Sequence, residues 1–83
     1  MKVAFKLFAS LTDYLPAQRN GNRIELDVED GTTVADLIAR FQVPERSAHL
    51  VLVNGRFVPP PARATHQLSD GDELAVWPPI AGG

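Results

Sequence analysis

The stretch RIELDVEDGTTVADLIARF, residues 23–41, carries two successive hydrophobic periods. Up to Glu29 every second residue is apolar, so one face is Ile24, Leu26 and Val28 while charged side chains occupy the other. A period of two is typical of a half-buried strand. Asp30 and Gly31 then break this pattern, and a helical period follows.

The second half of the stretch predicts a helix. Thr33 and Asp36 have the spacing of a capping box, in which a hydroxyl and an acidic side chain satisfy free backbone N–H groups. The apolar residues Val34, Leu37, Ile38 and Phe41 fall on one helical stripe. We expect a helix of about ten residues, ended by Pro44, which is too short to be stable alone and must pack on a sheet.

The flanking sequence supplies that sheet. Period-two or apolar runs predict further strands at residues 2–9, 50–53, 56–58 and 73–77. Asn54-Gly55 is a strong hairpin signal between two of them. The order strand, strand, helix, strand, strand, strand predicts an α+β protein with the β-grasp (ubiquitin-like) fold. In it a small mixed sheet of four to five strands packs on one main helix, with the first and last strands parallel in the middle.

Composition limits the function classes. The chain has 83 residues, a length suited to one domain, and it contains no cysteine. Disulfides, thiolate metal sites and cysteine nucleophiles are therefore excluded, and the cytoplasm is the expected compartment. The net charge is −2 and no two basic residues are adjacent, which argues against nucleic acid as a partner. No apolar run approaches the roughly 20 residues of a membrane span.

Several local motifs together resemble the MoaD/ThiS family of ubiquitin-like sulfur carriers. They are residues 31–37 (GTTVADL), 53–55 (VNG), 70–73 (DGDE) and the ending 78–83 (PPIAGG). The resemblance covers nearly the whole chain, and its length and paired prolines are closer to the small subunit of molybdopterin synthase than to the thiamine-pathway carrier. Ile80-Ala81 departs from the family's more frequent Val followed by Ser or Thr, and Trp77 stands where Phe or another apolar residue is common. Both departures could alter the choice of partner.

The ending has a physical rationale as an extended tail, residues 78–83, on a domain spanning residues 1–77. Six residues reach at most about 20 Å. Pro78 and Pro79 hold the root extended, and Gly82 and Gly83 lack the Cβ that would obstruct a narrow channel. Together with Ile80 and Ala81, these residues are predicted to enter a partner's active site. The Gly83 carboxylate is a poor electrophile until ATP activates it, and the sequence has no phosphate-binding glycine loop, so the chain is expected to be a substrate rather than an enzyme.

The resemblance implies the partners. An adenylyltransferase akin to ubiquitin-activating enzymes would use ATP to adenylate Gly83, and a sulfurtransferase would then supply sulfur to form a C-terminal thiocarboxylate. The large subunit of molybdopterin synthase would use that sulfur to build the dithiolene that binds molybdenum or tungsten. The chain itself is expected to bind no cofactor and no metal.

A docking surface is predicted on the face of the sheet that the helix leaves open. Trp77 and Ala75 of the last strand and Ala4 and Phe8 of the first would form an apolar patch there. The alternative is that Trp77 only covers the edge of the sheet or folds under a loop.

Other candidates are weaker. Asp70, Asp72 and Glu73 surround Gly71 as turn residues rather than metal ligands. His49 and His66 have no Cys or Ser partner and are expected to be ordinary surface or loop residues.

Two further functions stay open at this stage. The chain could modify other proteins through an isopeptide bond from Gly83, although Lys2 and Lys6 are its only lysines and lie on one strand. It could also be a plain interaction module with an incidental tail. If it is a sulfur carrier, the acceptor could belong to molybdopterin, thiamine, cysteine, tRNA or specialised metabolism.

Overall fold

The computed structural model describes residues 1–79, which form a five-stranded mixed sheet covered on one face by a helix. The strands are β1 (Lys2–Leu7), β2 (Arg23–Asp27), β3 (Leu50–Val53), β4 (Arg56–Phe57) and β5 (Glu73–Trp77), and the helix is α1 (Val34–Arg40). Their order across the sheet is β2-β1-β5-β3-β4, with β1 and β5 parallel and the other pairs antiparallel. The predicted β-grasp fold is confirmed.

The core lies between α1 and one face of the sheet. Alternate residues of the two central strands fill it, and Phe5, Leu7, Leu74 and Val76 are each 0% exposed. Val34 and Leu37 of α1 are equally buried against them. Each such side chain contributes about 1.5–3 kcal/mol of burial free energy, so this single layer of contacts dominates the stability of the domain.

The start of α1 is as predicted. The Asp36 N–H donates to the Thr33 hydroxyl at 3.1 Å, and the Thr33 N–H donates to the Asp36 carboxylate at 3.0 Å. Both halves of the capping box are therefore present, with aspartate in the position where glutamate is more usual.

The end of α1 differs from the prediction, because the helix has seven residues rather than about ten. Gln42 adopts the left-handed conformation, with φ 61°. The Val43 N–H donates to the Ile38 carbonyl at 3.3 Å, and the Gln42 N–H donates to the Ala39 carbonyl at 2.9 Å. This is a Schellman motif, and it ends the helix before Pro44 is reached.

Three predicted strands are too long. β1 ends at Leu7 because Ala9, with φ 52°, turns the chain into a 3-10 helix at Ala9–Tyr14. β2 ends at Asp27 rather than at residue 29, and β4 ends at Phe57 rather than at residue 58. Two more 3-10 helices, Glu45–Ser47 and Pro60–Ala62, were not predicted. Such single turns depend on local hydrogen bonds that leave no periodic signal in the sequence.

The β3–β4 hairpin is fastened to the turn before β5. Asn54 and Gly55 have φ values of 51° and 81°, as a type I′ turn requires. The Asn54 amide donates to Asp72 at 2.8 Å, and its oxygen accepts from the Glu73 N–H at 2.9 Å. Asp70 in turn accepts from the Lys2 N–H at 2.7 Å. Asp70 and Asp72 thus brace the turn, consistent with their interpretation as turn residues.

The capping box gives a first test of the helix start. Thr33→Ala removes the side-chain acceptor and is expected to lower the free energy of unfolding by about 1 kcal/mol. Urea denaturation measures this change. Thr65→Ala, which removes only an exposed 3.3 Å hydrogen bond to Ala62, serves as the control and should cost no more than a few tenths of that amount. Equal losses in the two variants would contradict the assignment.

Candidate functional site

The C-terminal strand leaves the sheet from its centre. β5 has β1 on one side, paired as far as Val76, and β3 on the other, paired as far as Trp77. The Phe8 N–H donates to the Val76 carbonyl at 3.1 Å, and the His49 N–H donates to the Trp77 carbonyl at 3.0 Å. Pro78 and Pro79 follow, and since proline has no N–H to donate, they stop the pairing there.

The structure describes the root of the predicted tail but not its end. Pro78 is half-buried and Pro79 is exposed. Ile80, Ala81, Gly82 and Gly83 lie outside the described residues. The assignment of Gly83 as the reacting residue, and of the three residues before it as the channel segment, therefore stays a prediction.

An aromatic stack marks the point where the chain leaves the sheet. The rings of Phe8 and Trp77 are nearly parallel, at 6°, with their centroids 4.1 Å apart. Both residues are half-buried and neither belongs to the core beneath α1. Such a contact adds about 0.5–1.5 kcal/mol beyond the burial of area, and it holds Trp77 rigidly beside Pro78.

All four predicted docking residues lie on the open face, but they differ in exposure. Phe8 and Trp77 are partly accessible, whereas Ala4 and Ala75 are each 7% exposed. The two alanines are therefore covered by neighbouring side chains and form the floor of this face. Of the four residues, only Phe8 and Trp77 offer area that a partner could contact.

Sequence reasoning missed half of this surface. Strand register places Leu50 opposite Trp77, Leu52 opposite Ala75 and Phe57 opposite Leu52. Leu50 is 36% exposed and Phe57 is 57% exposed. The open-face patch, as we call it, consists of Phe8, Leu50, Leu52, Phe57, Ala75 and Trp77. The unbroken apolar run of β3 and the fixed register of an Asn-Gly hairpin are the signals that could have revealed it.

The other half of the open face is charged. Lys2 pairs with Asp27 at 3.5 Å, Lys6 with Glu73 at 3.4 Å, and Arg23 with Glu25 at 3.0 Å. The Lys2–Asp27 and Arg23–Glu25 pairs are solvent-exposed and the Lys6–Glu73 pair is partly exposed, so each contributes little to stability. They border the apolar half along β1 and β2, and a partner covering the whole face would meet both surfaces.

The remaining candidates do not assemble into a site. Within residues 1–79, no three His, Asp or Glu side chains come close enough together to hold a metal ion. His49 is exposed and His66 is half-buried. Over the same part of the chain, no helix has both the length and the apolar character needed to cross a bilayer.

A mixed five-stranded sheet packed on one helix, with its first and last strands parallel in the middle, defines a ubiquitin-like β-grasp protein. The model of the ThiS family matches residues 6–83, and the chain belongs to that family. Its members are small ubiquitin-like carriers or subunits that are not themselves catalytic. The resemblance to MoaD/ThiS proteins is thereby confirmed.

Solved structures agree with this assignment. SAMP1 from Haloferax volcanii is 28% identical over 100% of both chains, with a TM-score of 0.68. A putative molybdopterin converting factor, subunit 1, from Pyrococcus furiosus is 27% identical over 95% of this chain and 98% of its own, also with a TM-score of 0.68. A complex of subunits 1 and 2 of molybdopterin-converting factor from Helicobacter pylori matches at 19% identity, 100% coverage of both chains and a TM-score of 0.61, which supports the fold alone. No curated protein sequence matches significantly.

The aromatic stack can be tested by fluorescence, because Trp77 is the one tryptophan in the sequence. Phe8→Leu removes the stacked ring and is expected to shift Trp77 emission to longer wavelength and to lower stability by about 1 kcal/mol. Phe57→Leu on the same face is the control and should leave the emission unchanged. Unaltered emission in Phe8→Leu would show that the stack does not order Trp77.

Proposed function

We propose that the protein is a sulfur carrier whose C-terminal glycine is adenylated and then converted to a thiocarboxylate for molybdopterin synthesis. The observation that carries this proposal is that the ThiS match extends to Gly83, so the terminal Gly-Gly lies inside the family alignment. The likeness to the putative molybdopterin converting factor, subunit 1, from Pyrococcus furiosus extends over nearly the whole of both chains and favours this branch. A carrier for thiamine or another pathway is the alternative within the family.

The chemistry follows from the poor reactivity of a carboxylate. A Gly83 carboxylate oxygen attacks the α-phosphorus of ATP, pyrophosphate leaves, and the acyl carbon becomes electrophilic. A persulfide sulfur of the donor protein then attacks this carbon and displaces AMP. A thiol cleaves the resulting acyl disulfide, which leaves the thiocarboxylate on Gly83 and a disulfide on the donor side. The adenylyltransferase, which binds ATP, and the sulfurtransferase supply the catalytic groups, and this chain supplies the reacting carboxylate.

The tail assignment rests on where β5 ends. Residues 1–77 form the folded domain in this proposal, and residues 78–83 form the segment that enters the partner. Pro78 and Pro79 restrict the backbone at the tail root, which lowers the entropy lost on threading. The stack of Phe8 on Trp77 gives that segment a rigid starting point.

The open-face patch is proposed as the surface on which the adenylyltransferase and the large synthase subunit bind in turn. It is apolar, contains accessible aromatic rings, and lies beside the tail root, so a partner bound there is close to the chain end. Exposed apolar patches rimmed by charge commonly mark protein interfaces. The Helicobacter pylori structure provides a precedent of the same fold, since it is a complex of subunits 1 and 2 of molybdopterin-converting factor. We expect these encounters to occur in the cytoplasm.

A second candidate is a protein modifier, because the similar SAMP1 of Haloferax volcanii is small archaeal modifier protein 1. Gly83 would then form isopeptide bonds with lysines of other proteins. Chains of modifiers would be disfavoured, because Lys2 and Lys6, the two lysines of the sequence, both lie on β1, which is paired on both sides.

Intact mass spectrometry tests the carrier function. Incubation with an activating enzyme of this class, ATP and a persulfide donor should raise the mass of the chain by about 16 Da, the difference between oxygen and sulfur. A variant lacking Gly83 is the control and should not change. An unchanged mass of the full chain would overturn the proposal if the same enzyme preparation modifies another carrier. Adducts of higher mass in cell lysate that vanish without Gly83 would favour the modifier.

The docking surface is tested by placing a charge on it. Phe57→Asp is expected to fold, because the ring is mostly exposed, and to weaken binding to the activating enzyme at least about tenfold. Thr65→Asp adds the same charge at an exposed residue outside the open face and should leave the affinity within about twofold. Calorimetry or a fluorescence titration of Trp77 measures both. Equal affinities for the two variants would exclude Phe57 from the interface.

A further inference from the structure

Arg63 is a buried cation that the sulfur chemistry does not use. It follows the 3-10 helix at Pro60–Ala62 and is 6% exposed. Its guanidinium donates to the carbonyls of Ala48 at 2.6 Å, His49 at 3.2 Å and Val58 at 3.4 Å. It thereby ties together the segments that flank β3 and β4.

The charge of Arg63 is not neutralised by an ion pair. Arg63 takes part in none of the salt bridges among residues 1–79. The carboxylate of Glu45 attracts the guanidinium electrostatically but does not form a salt bridge with it. Burial lowers the pKa of the guanidinium, and the negative charge of Glu45 partly offsets that effect. A guanidinium has five N–H donors, of which the three hydrogen bonds to carbonyls use three. Each guanidinium nitrogen therefore has a carbonyl partner, and one N–H group on each of Nη1 and Nη2 is left for a further acceptor.

Arg63 lines a cleft on the helix side of the sheet, away from the open-face patch. Two adjoining cavities of about 590 Å³ and 320 Å³ share Glu45, Ala48, Pro60 and Arg63 as walls. These volumes are within the range of small-molecule sites.

The two ends of the cleft differ in chemistry. One end is lined by aliphatic side chains of α1 and the residues after it, among them Ala35, Ile38 and Val43. The other end contains Arg46 and His49. A ligand spanning both would therefore be an anion attached to an apolar body.

We propose that this cleft binds a small organic carboxylate with a short aliphatic body. The carboxylate would accept hydrogen bonds from Arg63 near Arg46, and the aliphatic part would lie against Ile38 and Val43. A single negative charge fits better than a phosphate dianion, because Glu45 lines the same cavities and would repel the second charge. The proposal does not depend on the function of Gly83, so the two can fail separately.

Amide chemical shifts provide the test. The ¹⁵N-labelled full chain is titrated with 4-methylpentanoate, and the uncharged 4-methylpentanamide serves as the matched control. We expect saturable shifts at Ala48, His49, Arg63 and Ala64 with a dissociation constant of about 1–10 mM, and at least about fivefold weaker binding of the amide. Equal binding of the two probes, shifts confined to other regions, or no saturable shift would overturn the proposal.

Exposed rim residues keep the test independent of folding, since replacing Arg63 itself would remove three hydrogen bonds that hold the fold together. Arg46→Gln is expected to weaken binding of 4-methylpentanoate about two- to threefold, and Glu45→Gln to tighten it by a similar factor. Arg56→Gln on β4 removes the same charge as the first variant but lies outside the cleft, and should leave the constant unchanged. Weakening by Arg56→Gln equal to that by Arg46→Gln would indicate a nonspecific charge effect and would contradict the site.

Discussion

The parallel pairing of β1 with β5 is the constraint on which the rest of the molecule depends. These strands lie side by side in the middle of the sheet, and their inward residues, such as Phe5 and Leu74, are fully buried beneath α1. A parallel pair cannot be closed by a tight turn, so the chain between them must cross over and supply the helix and the edge strands. The same pairing places the end of β5 at the centre of the sheet rather than at an edge.

That central position links the fold to the proposed function. Trp77 ends β5 between Phe8 on one side and Leu50 on the other, so the apolar surface surrounds the point where the tail begins. A partner that covers this surface would hold the chain end close to its own catalytic groups. In the proposed function the chain needs no reactive side chain of its own, because it supplies one carboxylate to a partner's catalytic groups.

The two faces of the sheet have different chemistry. The open face combines an apolar patch with three ion pairs that are exposed or partly exposed, which suits a protein partner that binds and releases. The opposite face carries α1 and the cleft around Arg63, where a buried charge is held by backbone carbonyls. A ligand in that cleft would not obstruct the open face, so both sites could be occupied at once.

The sequence by itself determined the β-grasp fold, the capping box at Thr33, the hairpin at Asn54-Gly55 and the family. Each of these depends on the spacing of nearby residues or on a short contiguous motif. It also indicated the aromatic part of the open face through the alternation of β1 and β5. Only the tertiary structure decided that Ala4 and Ala75 are floor residues, that Leu50, Leu52 and Phe57 extend the patch, and that Arg63 is buried beside a cleft. Those properties depend on which strands become neighbours and on which carbonyls meet one guanidinium, and contacts between distant segments leave no period in the chain.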